Sequence, residues 1–142
     1  MLMGYQSIDI ALDTFPYSGG ITTCEALWMG VPVITFPGET FASRHATSHL
    51  SNVGVSELIA EDLDAYEALA ISLANSSNHL DSMRKSLRAQ MLASPLCDGE
   101  LFARDWTNMI QRMCEVYSGQ NSLDLIGPYG KYGFPTRGHG TC

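Results

Sequence analysis

The chain opens with a short apolar run, Ile8-Asp9-Ile10-Ala11-Leu12, which stops at Asp13-Thr14 before a loop containing Pro16, Tyr17, Ser18, Gly19 and Gly20. A short apolar run bounded by turn residues reads as a strand buried in a parallel sheet. Thr22 to Met29 then offers a threonine able to cap, Glu25 in the first turn and Gly30 as a stop, so a short helix is expected. Pro32-Val33-Ile34-Thr35-Phe36 is β-branched and aromatic, with proline at the position where a missing N–H harms a ladder least, and predicts a second strand.

The rhythm changes after the polar loop Pro37-Gly38-Glu39-Thr40. A helix is expected from about Ser43 to Asn52, ended by Gly54, with Val55 to Ala60 as a third, edge strand. Leu63, Tyr66, Leu69 and Leu73 recur at helical spacing behind Asp62, a natural N-cap. Asn78 with Asp81 three residues on resembles a capping box ahead of Met83, Leu87 and Met91. Ser94 to Gly99 breaks the pattern, and Glu100 to about Tyr117 resumes it, with Phe102, Trp106, Met109 and Met113 on one face expected to serve as core. From Ser118 to Cys142 there are six glycines and two prolines without periodicity, so residues 118–142 read as a Gly/Pro-rich tail beside a domain at 1–117.

Alternating strands and helices predict an α/β fold with a short parallel sheet and flanking helices. A complete doubly wound sheet has five or six strands, so this chain is expected to be the second half of such a lobe, with the remainder before Met1. Composition narrows the partners. Eight basic residues against 15 acidic, a formal charge of -7, exclude the clustered cations that displace counterions from a nucleic acid backbone. Cys24, Cys97, Cys114 and Cys142 are scattered without a C-x-x-C pair, which fits a reducing cytoplasm better than a disulfide scaffold. The N-terminus lacks a basic signal region and no apolar run approaches the roughly 20 residues of a membrane span, so no membrane partner is expected.

The candidate chemistry lies where the first strand, the glycine loop and the helix succeed one another, from Asp13 to Trp28. Unpaired N–H groups and the positive end of a helix dipole converge at such a place, and Gly19 and Gly20 let a diphosphate approach the main chain. Thr22 and Thr23 add hydroxyl donors. Glu25 is spaced to accept hydrogen bonds from ribose hydroxyls, so the stretch suits a nucleotide. A tight turn followed by an ordinary capped helix fits the same glycine, threonine and acid spacing.

The ordered stretches Asp9 to Tyr17 and Thr22 to Val33 resemble the signature of the O-GlcNAc transferase (SPINDLY-type) family, in particular its bacterial members. The resemblance continues through Pro37-Gly38-Glu39-Thr40, Ala42-Ser43-Arg44, Glu57 to Ala60 and Ser94-Pro95-Leu96, covering about Ile8 to Met113. It implies a Rossmann-like GT-B C-terminal lobe and a role in an inverting transfer of a sugar, N-acetylglucosamine, from UDP to Ser or Thr of protein acceptors. In that family the loop and helix hold the diphosphate and ribose of UDP, which carries the nucleotide-sugar-binding role to Gly19, Gly20, Ile21, Thr22, Thr23 and Glu25. Animal members place His and Asp where this chain has Gly20 and Glu25. The resemblance implies no metal and no cofactor beyond the UDP-sugar substrate. It puts the acceptor lobe and the catalytic groups upstream, so the isolated chain is expected to be inactive. A catalytically inactive nucleotide-binding or oligomerisation module is the alternative, and an exposed sheet edge would favour a homo-oligomer.

Other candidates are weaker. His45 and His49 share a helix face at zinc-binding spacing but lack the intervening Glu of a metalloprotease motif, so they read as ordinary helix histidines. Arg44 could reach a phosphate or pair with Glu39, the structural role being favoured. Cys24 at a helix start reads as packing rather than as a lowered-pKa nucleophile.

Overall fold

The computed structural model describes residues 2–117, which divide into two compact units, one ending at Phe102 and the other beginning at Ala103. In the first unit, a 3-10 turn at Leu2–Ser7 precedes strand β1 (Ala11–Leu12), helix α1 (Ile21–Trp28) and strand β2 (Val33–Ile34). After a 3-10 turn at Phe41–Ser43 come helices α2 (His45–Val53), α3 (Leu63–Asn75) and α4 (Ser77–Leu92).

The two strands are parallel, Ala11 opposite Val33 and Leu12 opposite Ile34. The backbone N–H groups of Ala11 and Asp13 donate to Pro32 and Ile34 carbonyls, each at 2.9 Å. Parallel pairing needs a crossover, and α1 supplies it. The expected third strand contracts to a single parallel bridge, Thr35 to Ile59, with a 3-10 turn at Ser56–Leu58 taking the preceding residues.

Leu27 from α1, Ile34 from β2, Leu50 from α2, Leu58 from the 3-10 turn before α3 and Leu87 from α4 are all fully buried and form the centre of the core. Each such burial contributes about 1.5–3 kcal/mol, so this cluster holds the helices against the short sheet. Gly30, with φ of +76°, ends α1, and a Cβ there would meet the Arg84 carbonyl oxygen at 2.7 Å. Only glycine lets α4 cross that closely.

Asp62 caps α3 as expected, its Oδ1 accepting from the Ala65 amide at 2.8 Å. The capping box at Asn78 and Asp81 is not formed: α4 starts at Ser77, and the Ser76 hydroxyl donates back to the Ser72 carbonyl, continuing the turn of α3. Helix α5 (Gly99–Tyr117) begins with the Leu101 amide donating to Asp98 Oδ1 at 2.8 Å. Its part within the second unit buries none of Trp106, Met109 and Met113 there, so these residues form no core of that unit. The tail at 118–142 lies outside the described residues.

Candidate functional site

The loop between β1 and α1 is organised by one carboxylate. Asp13, directly after β1, accepts from the Gly19 amide through Oδ1 at 2.7 Å, and from the Ser18 and Thr35 hydroxyls through Oδ2 at 2.8 and 2.7 Å. Its own carbonyl accepts from the Tyr66 hydroxyl at 2.8 Å. Burial, followed by the nearby Asp13 charge, pushes the Tyr66 phenol above its ordinary pKa. Strand β1, the residue after β2 and helix α3 therefore all fix the start of the loop.

Ser18 carries this order to the next helix. It is 2% exposed; its amide donates to the Ala42 carbonyl, and its hydroxyl oxygen accepts from the Ala46 amide at 2.9 Å while donating to Asp13. A buried hydroxyl used both ways costs nothing in unpaired polarity. The loop is clamped between the N-terminal ends of α1 and α2.

Gly19 has no room for a side chain: a Cβ would lie 2.7 Å from Thr23 Oγ1, 3.0 Å from Thr22 Oγ1 and 3.1 Å from Asp13 Oδ1. The Thr23 side chain is buried and donates its hydroxyl to the Gly19 carbonyl at 2.9 Å, so it shapes the loop, whereas Thr22 is exposed. Gly20 is the N-cap of α1 and offers no side-chain cap, which differs from the threonine cap expected. The first amides, those of Ile21 and Thr22, have no intrahelical partner and face out of the helix end. A Cβ at Gly20 would have only His45 Nδ1 nearby, at 3.7 Å.

Glu25 sits half-buried one turn into α1 and receives a hydrogen bond from the Tyr5 hydroxyl at 3.3 Å; the same hydroxyl is 3.3 Å from the Thr22 carbonyl. Burial first, then the Glu25 charge and hydrogen bond, raise the Tyr5 pKa. Tyr5, Asp13, Thr14, Gly19, Thr22 and Thr23 help to line a cleft of about 150 Å³ beside β1. A small-molecule site commonly needs about 300 to 1,000 Å³, so this cleft is smaller than a whole ligand site.

A larger cleft, about 550 Å³, opens on the other side of the loop between Phe15, Phe36 and the segment Pro37–Thr40. Its walls include the stacked rings of Phe15 and Phe36, 4.7 Å apart, and the acidic Glu39, Glu61 and Asp62. Three carboxylates repel a diphosphate, so size does not make this cleft the anion site.

Among the other candidates, Arg44 has a hydrogen-bond partner and His45 has ring contacts, while His45 Nε2 and His49 Nδ1 are buried without a hydrogen-bond partner. Arg44 donates from Nε to the Gly38 carbonyl at 2.7 Å and so closes the loop before α2. The His45 ring lies edge-on to Tyr17 and Phe41. Burial, then the neighbouring His45, lowers the His49 pKa. Among the described residues no three His, Cys, Asp or Glu side chains converge on a metal-sized space. Burial raises the Cys24 thiol pKa, the opposite of an activated nucleophile. No helix among the described residues is long and apolar enough to cross a membrane.

The structure thus gathers the six site residues read from the sequence on one loop and one helical turn. It adds Tyr5, Asp13, Ser18 and His45 around them. Asp13 was legible as an acid ending a strand before a glycine loop; Tyr5 carried no sequence signal, since it reaches Glu25 from 20 residues away.

A parallel strand, a glycine loop without a capping side chain and an open helix N-terminus define a Rossmann-like α/β lobe, the architecture that presents main-chain donors at the carboxyl end of a strand. Residues 4–106 match the model of glycosyl transferase family 41, and the chain belongs to that family of glycosyltransferases. It is 44% identical over 124 residues to a protein of Hordeum vulgare named probable UDP-N-acetylglucosamine–peptide N-acetylglucosaminyltransferase SPINDLY, covering 87% of this chain and 13% of that protein. It is 34% identical over 121 residues to the UDP-N-acetylglucosamine–peptide N-acetylglucosaminyltransferase of Caenorhabditis elegans, covering 85% of this chain and 10% of that one. A solved structure of a mutant O-GlcNAc transferase from Thermobaculum terrenum superposes with a TM-score of 0.73 at 38% identity, over 79% of this chain and 22% of that chain. The expected part of a GT-B lobe is borne out by this likeness. The chain spans about 13% of the length of the plant relatives it matches.

Proposed function

We propose that this chain supplies the diphosphate- and ribose-binding part of the donor site of an inverting glycosyltransferase, which moves N-acetylglucosamine from UDP to Ser or Thr of a protein acceptor. The observation that carries the reading is the uncapped N-terminus of α1 beside Gly19, where a side chain has no room. The Ile21 and Thr22 amides and the Thr22 hydroxyl would receive the diphosphate, Glu25 would accept the ribose hydroxyls, and Gly19, Gly20 and Thr23 would give the loop its shape. As the sugar leaves, charge develops on the diphosphate, and fixed N–H donors stabilise it without reorganising. The names of the relatives supply the donor sugar and the protein acceptor. No metal and no cofactor other than the UDP-sugar enters this reading, and the cytoplasm is its expected setting.

Titration of the purified chain with UDP by calorimetry tests it. The wild-type chain is expected to bind, and Thr22→Ala and Glu25→Ala each to weaken binding about tenfold, the scale of a lost hydrogen bond to a charged group. Equal affinity in wild type and both variants would exclude this loop as the site. A second reading, a nucleotide-binding or oligomerisation module that acts through another lobe, is favoured by Leu12 of β1, which is left 57% exposed. Sugar transfer by the chain alone would rule it out.

A further inference from the structure

We infer that Tyr5 is a positioning residue of the nucleotide site: its hydroxyl orients the Glu25 carboxylate toward the ribose, and the pair selects ribonucleotides over deoxyribonucleotides. The inference rests on the donor-site reading above and names the residue that gives it sugar specificity.

The 3-10 turn at Leu2–Ser7 brings Tyr5 against the core and places its hydroxyl 3.3 Å from both Glu25 Oε2 and the Thr22 carbonyl. A hydroxyl has one proton to give, and the charge-assisted bond to a carboxylate is the stronger of the two choices. A bond to Oε2 limits rotation about the end of a flexible side chain and leaves Oε1 free to accept. Thr22, whose carbonyl meets the same hydroxyl, is the residue placed to hold the diphosphate. Tyr5 therefore ties the ribose acceptor to the phosphate loop. The raised Tyr5 pKa fits a phenol that stays protonated beside that carboxylate.

A deoxyribose removes one donor from this arrangement and leaves an acceptor lone pair without a partner. Sites built to bond a hydroxyl discriminate against ligands that lack it for this reason. A residue that only supported the fold would weaken all nucleotides alike.

The test compares UDP with 2′-deoxy-UDP by NMR titration of the full chain, wild type and Tyr5→Phe, with thermal melts to follow folding. The wild-type chain is expected to prefer UDP by about tenfold, and Tyr5→Phe to reduce the preference to about threefold or less. In a Glu25→Gln background, Tyr5→Phe is expected to change neither affinity, which keeps the test informative if the single variant is less stable. An unchanged UDP preference in Tyr5→Phe, with binding still weakened in Thr22→Ala, overturns the role of Tyr5 and leaves the donor site standing. Equal loss of both nucleotides also overturns it, as does tighter binding of both, which would make Tyr5 an occupant of the site. Absence of UDP binding by the wild-type chain overturns the donor-site reading and this one together.

Discussion

Asp13 shows how much one side chain settles here. Its carboxylate receives three donors from the loop and from Thr35, at 2.7 to 2.8 Å. Asp13→Ala leaves those donors without their acceptor, and the expected loss of stability is about 3 kcal/mol, against about half that for Asp13→Asn; urea denaturation of the purified variants measures both. His49 makes a different prediction. Its pKa in the folded chain lies below the usual value, because of burial and then His45, so the unfolded chain takes up the proton first. Stability is therefore whole above about pH 6.5 and falls as the pH drops from there toward the lowered folded value. Urea midpoints at pH 7.5 and 5.5 are expected to differ less in His49→Gln than in the wild type, and an identical pH dependence in the variant counts against the assignment.

Among the elements, two glycines with similar backbone angles make a controlled comparison. Gly30 and Gly54 have φ of +76° and +84°, but a Cβ at Gly30 would meet the Arg84 carbonyl at 2.7 Å while a Cβ at Gly54 would meet open space. Gly54→Ala is expected to cost about 1–2 kcal/mol, the left-handed penalty alone. Gly30→Ala should cost at least about 2 kcal/mol more, because α4 must move away, and thermal denaturation of the two variants reads the difference. This contrast marks what the sequence could and could not say. Gly30 and Gly54 were legible as helix stops because a stop is a local requirement, and Asp62 was legible as a cap for the same reason. The contraction of the third strand was not: Val55 to Ala60 is apolar enough for a strand, but only the Thr35 to Ile59 bridge forms, and Ser56–Leu58 winds into a turn. In the site, the six residues fall within the seven-residue stretch from Gly19 to Glu25 and could be read together. Tyr5 and His45 reach it from other elements, and their approach depends on tertiary packing that no local pattern encodes.

For the molecule as a whole, the sheet is the telling feature. Among the described residues β1 pairs with β2 alone, and Ile8 ahead of it and Leu12 within it are 39% and 57% exposed. A strand edge with exposed apolar neighbours is a template for another strand. The chain is expected to self-associate as its concentration rises, and Leu12→Lys to shift it toward monomer; sedimentation velocity across a concentration series checks this, and a concentration-independent monomer in the wild type would refute it. The cluster of Asp13, Ser18 and Thr35 has a consequence on a longer scale. Because Ser18 also receives the α2 amide, and Thr35 follows β2, a change at one position strands polar groups at the others. Stepwise drift through single substitutions would cross an unstable intermediate at nearly every step. Descendants of this chain should therefore keep the three residues as a set or replace them together, so that their shared inheritance records an internal incompatibility as well as any demand made by a ligand.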